Sequence, residues 1–192
     1  MKALAIVAVL AGIARADDVD PAVEPVSEAN LETKPPRDGT TASAAFGPSF
    51  GMGFGIKGAT GTGGALSVRL GHVMTAQSVL LLEIVGATQL HAECTSCATL
   101  HNDDVRFLVG AQYYAQPTLW FRFGTGLGRY HEILGGDQGD RTLNGLAGLF
   151  GMGLDLFRLH SLVVGFEFLT AGTITKDGLM SSTAFCLGLS YN

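Results

Sequence analysis

Charge is scarce in this sequence. Asp, Glu, Lys and Arg make up 15% of the 192 residues, against 47% for hydrophobic ones. Average usage is roughly a quarter charged, and a soluble globule of this size would need more charge to cover its surface. Long apolar runs are also missing: no stretch approaches the ~18 consecutive apolar residues of a spanning helix. Positive charge is short as well. The net charge is −5, whereas a nucleic-acid partner calls for a basic patch to meet phosphate, so that partner class is excluded. The chain is therefore unusually apolar yet has no helical membrane anchor. A β-barrel that meets lipid with every second residue reconciles the two facts.

The first residues carry an export pattern. Lys2 supplies a positive start, Ala3 to Ile13 is an apolar run too short to span, and Ala14-Arg15-Ala16 reads as an A-x-A cleavage site. Residues 1–16 are expected to be a signal peptide, with Asp17 as the mature N-terminus. No cysteine follows the cleavage site, so no lipid anchor is expected there. Export brings the chain into an oxidising compartment. Residues 17–43 are acidic, contain Pro21, Pro25, Pro35 and Pro36, and have no aromatic residue. Such a segment buries too little apolar area to offset its ordering entropy, and it is expected to be a disordered periplasmic linker.

From Ala44 the period becomes two. Eight segments stand out, at about 46–57, 64–74, 78–90, 104–115, 118–130, 142–156, 161–171 and 179–191, each close to the ~9–11 residues of a tilted membrane strand. In the second, Leu66, Val68 and Leu70 oppose Ser67, Arg69 and Gly71. In the fourth, Val105, Phe107, Val109, Ala111 and Tyr113 oppose Arg106, Gly110 and Gln112. In the last, Phe185, Leu187, Leu189 and Tyr191 oppose Ala184, Cys186, Gly188 and Ser190. Alternation of this kind gives each sheet face one chemistry. One face is large and apolar. The other is mostly Gly, Ala and Ser, which suits the narrow interior of an eight-stranded barrel. The mid-strand charges on that small face are Arg69, Arg106 and Arg122 with Glu83, Asp155 and Glu167. Buried charges must be paired, so these six are expected to form interior ion pairs.

Connections alternate in length, as membrane barrels require: short at 75–77, 116–117 and 158–160, longer at 91–103, 131–141 and 172–178. Tyr113, Tyr114, Trp120, Tyr130 and Tyr191 fall near expected strand ends, where an interfacial aromatic girdle would lie. With these faces and the C-terminal strand Phe185-Cys186-Leu187-Gly188-Leu189-Ser190-Tyr191, the chain resembles the eight-stranded outer-membrane barrels of the OmpA/OmpX type over residues 44–192. The resemblance implies an all-β, antiparallel, up-and-down transmembrane barrel. It also implies recognition of the last strand by the barrel-assembly machinery, although Asn192 follows the terminal aromatic.

One local motif has metal-site spacing: His91-x-x-Cys94-x-x-Cys97-x-x-x-His101. Zinc would take all four as ligands. In an oxidising compartment a disulfide between Cys94 and Cys97 is the favoured alternative. For catalysis, neither His72 nor His160-Ser161 has a nucleophile-and-base partner, and no G-x-S-x-G elbow occurs. No cofactor is expected. The expected function is structural or surface-interactive, exercised by a monomer among outer-membrane lipids without a wide pore. A lipid-modifying outer-membrane enzyme and a soluble lipocalin-like carrier are the alternatives.

Overall fold

The structure, a computed structural model, describes residues 39–56, 60–91, 100–133 and 140–191, with the backbone alone at His91 and Leu100. The signal segment 1–16, most of the linker, and Cys94 and Cys97 lie outside the described residues. So the disulfide and the four-ligand zinc alternative are left as expectations.

Eight strands form: β1 (Thr40–Phe54), β2 (Gly61–Thr75), β3 (Ser78–His91), β4 (Leu100–Tyr114), β5 (Leu119–Ile133), β6 (Arg141–Leu159), β7 (Leu162–Thr175) and β8 (Gly178–Tyr191). Each pairs antiparallel with its chain neighbours, and β1 pairs with β8, which closes the barrel. Closure leaves no unpaired edge, the condition for a sheet to stand in lipid. Following hydrogen-bonded partners from Thr40 through His72, Leu80, Ala111, Phe123, Phe150, Thr170 and Thr183 leads back to β1 at Phe50, ten residues along the strand. A stagger of that size over eight strands corresponds to a tilt of ~40°.

The two ends of the barrel differ. At one, the turn end, β2–β3, β4–β5 and β6–β7 are joined by residues 76–77, 115–118 and 160–161. The last of these is a tight hairpin turn in which His160 takes a positive φ of 52°. At the other, the loop end, the connections fall at 55–60, 92–99, 134–140 and 176–177.

The strands run further toward the loop end than the sequence pattern suggests. β4 starts at Leu100, β5 continues to Ile133 and β7 to Thr175. The expected long loop 172–178 is in fact a two-residue hairpin at Lys176-Asp177. There Thr175 Oγ1 donates to the Gly178 carbonyl (3.0 Å) and accepts from the Asp177 amide (3.2 Å). At the other end β1 begins at Thr40, inside the segment expected as linker, with Thr41 already facing Gly71 of β2.

Alternation sorts the side chains as the composition demands. Phe46, Leu70, Leu82, Phe107, Leu127, Leu146, Ile174 and Phe185 all point outward and are more than half exposed. On the turn-end half of this surface Phe123 packs on Phe150, and Phe185 sits between Phe166 and Phe168. Toward the loop end the outward rows become polar, with Thr88, Asp103, Arg129, His131 and Thr142.

Candidate functional site

The inward rows fill the lumen in layers, and each layer follows from which strands bring their residues to the same height. Nearest the turn end, Val79, Leu81, Tyr114 and Trp120 form an apolar floor with Val73 against it. Gln112 Nε2 donates to Tyr114 Oη at 2.6 Å, and Trp120 Nε1 donates to Asp155 Oδ1 at 3.1 Å. The polar tips of the floor's aromatic rings are thus satisfied, as buried Tyr and Trp require.

Above the floor lies a charged layer. Arg69 Nη2 meets Glu167 Oε1 at 2.5 Å, and Arg122 meets Glu167 Oε2 at 3.5 Å and Glu83 Oε1 at 3.3 Å. Ser67 Oγ donates to Glu83 Oε1 at 2.6 Å. All four ionic side chains are 5% exposed or less. Both guanidinium groups also lie over Trp120, 5.6 Å and 5.4 Å from its ring centroid, where the ring face attracts a cation. Two arginines and two glutamates give a neutral layer, the arrangement a dry interior permits.

An apolar collar follows, made of Val85, Leu108, Leu149 and Leu169 with Ala147 and Ala171. Beside it, Ala45, Ala65, Ala87, Ala184 and Cys186 form a second buried cluster. The inward face is therefore not only small residues: large aliphatic side chains from β3, β4, β6 and β7 close the barrel at mid-height. Next toward the loop end comes a second polar layer. Arg106 donates Nε to Thr173 Oγ1 (3.0 Å), Nη1 to Ser182 Oγ (2.8 Å) and Nη2 to Asp104 Oδ2. Ile56, Tyr130, Leu143 and Met180 cap it. At the rim Arg141 Nη2 meets Asp177 Oδ2 at 2.7 Å.

The six charges singled out from sequence are thus distributed over three places. Arg69, Glu83, Arg122 and Glu167 come together in one layer. Arg106 lies in another, and its carboxylate partner is Asp104. Asp155 sits at the floor under Trp120. Asp104 stands at the first residue of the expected fourth segment and so is not among its mid-strand charges, although its parity matches that of Asn102 and Arg106. Continuing the period-two pattern back to Leu100 would have found it.

The aromatic girdle is corrected in the same way. Tyr113 and Tyr191 face outward, but Tyr114, Trp120 and Tyr130 are buried at 8%, 3% and 0% exposure. Proximity to a strand end does not decide the face; strand parity does. His101 is on an outward row, half-exposed, with Nε2 2.9 Å from Asp103 Oδ1, which also accepts from Thr88 Oγ1 at 2.9 Å. Among the described residues no three His, Cys, Asp or Glu side chains are grouped to hold a metal ion.

No protein-family model and no curated protein sequence matches the chain. Solved structures do match. Ail, the attachment invasion locus protein of Yersinia pestis, in complex with the heparin analogue sucrose octasulfate, covers 80% of this chain with 99% of its own, at TM-score 0.58 and 12% identity. Neisserial surface protein A covers 80% with 97% of its own, at TM-score 0.58 and 10% identity. Both are eight-stranded outer-membrane barrels. At these identities the likeness establishes the fold: an eight-stranded antiparallel up-and-down transmembrane β-barrel, as the resemblance to the OmpA/OmpX type implies.

Proposed function

We propose that this chain is an outer-membrane barrel protein of a Gram-negative cell envelope, working as a monomer in a structural or surface-interaction role through its loop end. The observation that carries the reading is the continuous outward ring of large apolar side chains on a closed barrel whose lumen is filled. In water such a ring would be an aggregation surface far beyond the few hundred Å² a soluble monomer exposes. In a bilayer it is the lipid contact. A lipocalin-like carrier needs its apolar side chains inward around a ligand space; here they point outward, and the lumen holds an arginine–glutamate layer and an aliphatic collar.

In this reading the turn end and the linker that precedes β1 face the periplasm after removal of residues 1–16. The loop end faces outside, and the strand Phe185–Tyr191 is the segment offered to the barrel-assembly machinery. Cys94 and Cys97 then lie in a surface loop and pair as a disulfide. The collar and the two polar layers leave no wide aqueous path, so the role is not that of a general porin. Fractionation of expressing cells tests this. The protein is expected in the outer-membrane fraction, with heat-modifiable gel migration. An epitope inserted within 134–139 is expected to be reached by antibody on intact cells, and planar bilayers containing the protein are expected to show no porin-sized conductance. Release of the folded protein into buffer without detergent would overturn the reading.

A further inference from the structure

Toward the loop end the outward face of β3 to β6 carries polar side chains, and most of them answer one another. Asp103 Oδ1 accepts from Thr88 Oγ1 and meets His101 Nε2, each at 2.9 Å. His131 Nδ1 lies 3.0 Å from Thr142 Oγ1. Arg129 and Asn144 differ. They stand directly opposite each other on β5 and β6, both are exposed, and neither has a hydrogen-bond or ionic partner among the described residues. Side chains directly opposite on one sheet face have Cβ atoms ~4.5–5.5 Å apart, so the guanidinium and the amide can hold one ligand between them. Two residues nearer the turn end on the same strands are Leu127 and Leu146, 65% and 69% exposed. Arg129 is thus an unpaired cation at the edge of the apolar ring.

The row through these two residues leads down into that ring. Across the sheet Asn144 faces Arg129, Arg129 faces Val105, Val105 faces Gly86, Gly86 faces Leu66, and Leu66 faces Phe46. Partners followed from β1 round to β8 climb toward the loop end, so this row descends from β6 to β1. Its polar end lies at the edge of the apolar ring and its apolar end deeper in it. At Gly86 the row is hollow, because a Cβ there would meet nothing within 4 Å. The groove so formed has Thr88 and Asp103 along its loop-end side. On its turn-end side stand Ile84 and Phe107, opposite each other and 47% and 59% exposed.

We propose that this row seats one phosphate-bearing membrane lipid, its phosphate between Arg129 and Asn144 and an acyl chain laid past Val105 into the groove at Gly86. Charge selects the head. A guanidinium pairs with phosphate oxygens through parallel N–H donors, and the Asn144 amide adds a neutral donor. The outward carboxylate of Asp103 is engaged by His101 and Thr88, so it does not neutralise Arg129. The groove selects the tail. From Val105 to Phe46 the row offers no polar side chain, so a hydrocarbon fills it without leaving a polar group unpaired. The proposal rests on the outward ring being the lipid contact, and adds the place on that ring where one lipid is held.

The test uses the full chain folded in a neutral detergent and native mass spectrometry of bound lipid. The probes are dimyristoyl phosphatidic acid, dimyristoylglycerol, which has the same chains and no phosphate, and inorganic phosphate, which has no chain. One phosphatidic acid per barrel is expected, bound about tenfold or more tighter than dimyristoylglycerol and not displaced by inorganic phosphate. Arg129→Gln is expected to abolish that preference. Gly86→Leu, which fills the hollow, is expected to weaken phosphatidic acid binding about tenfold while heat-modifiable migration stays. Arg141→Gln, which removes a loop-end cation already paired with Asp177, is expected to leave binding unchanged. Equal binding of the two lipids would overturn the site, as would displacement by inorganic phosphate. Equal losses in R129Q and R141Q would overturn it in favour of diffuse charge. Full binding by a folded Gly86→Leu variant would overturn the groove. A barrel that stays folded in detergent without the preference sinks this site alone, whereas release into buffer without detergent sinks the membrane reading beneath it.

Discussion

Arg69 and Glu167, 98 residues apart in the chain, meet Nη2 to Oε1 at 2.5 Å inside the barrel, each almost completely buried. Glu167 also faces Arg122, so it bridges two buried guanidinium groups, with Glu83 as the second carboxylate of the layer. Removing one member of a buried pair leaves an uncompensated charge. Glu167→Gln is therefore expected to destabilise the barrel by about 3–5 kcal/mol. The midpoint of urea unfolding in lipid vesicles, followed by Trp fluorescence, measures it. An equal midpoint for E167Q and wild type would show that the layer is hydrated well enough to need no pairing.

The outward ring makes a position-dependent prediction. Leu82, on an outward row of β3 well below its loop-end residues, is expected to resist a charge strongly. Leu82→Arg should cost about 2–4 kcal/mol in a bilayer, the mid-membrane value for an arginine on a barrel's lipid face. Leu90, on the same outward row but near the end of β3, should accept arginine at about 0–1 kcal/mol. The same vesicle unfolding assay distinguishes the two. Similar costs at both positions would place the lipid belt elsewhere.

Two glycines of opposite facing separate strand propensity from space. A Cβ on Gly86 would meet nothing within 4 Å, whereas a Cβ on Gly126 would strike the backbone carbonyl of Phe107. Gly86→Ala is expected to be neutral or stabilising by about 0.5–1 kcal/mol, because glycine in a strand interior is entropically costly. Gly126→Ala should destabilise by about 1–3 kcal/mol through forced backbone shifts. Folding yield into detergent, read from heat-modifiable migration, should rank Gly86→Ala above Gly126→Ala.

His160 is the only non-glycine residue with positive φ among the described residues, at 52° in the β6–β7 turn. Glycine and asparagine tolerate this conformation, and β-branched residues do not. His160→Gly or His160→Asn is expected to leave stability within about 0.5 kcal/mol of wild type. His160→Val should lower it by about 1–2 kcal/mol.

Much of the fold is legible in the alternation alone. The exchange of Leu66, Val68 and Leu70 with Ser67, Arg69 and Gly71 is carried by the period of the strand itself, so it survives errors of several residues at the strand ends. What misleads lies at those ends. Tyr114, Trp120 and Tyr130 look like a girdle by position, yet their parity puts them inside. The residues 172–178 look like a loop, yet Thr173 packs under Arg106 and the hairpin closes at Lys176-Asp177.

The sequence by itself determined that the chain is a membrane barrel, how many strands it has, and which residue of each pair faces lipid. These are local properties, set by composition and a two-residue repeat. Only the tertiary structure decided which inward residues share a layer. The ten-residue stagger around the barrel brings Arg69 of β2 to the height of Glu167 of β7, and Arg106 of β4 to that of Thr173 of β7 and Ser182 of β8. That stagger is a property of closure, which no single strand contains. The physical consequence is that the Arg69–Glu167 ion pair and the aliphatic collar exist only once all eight strands have met.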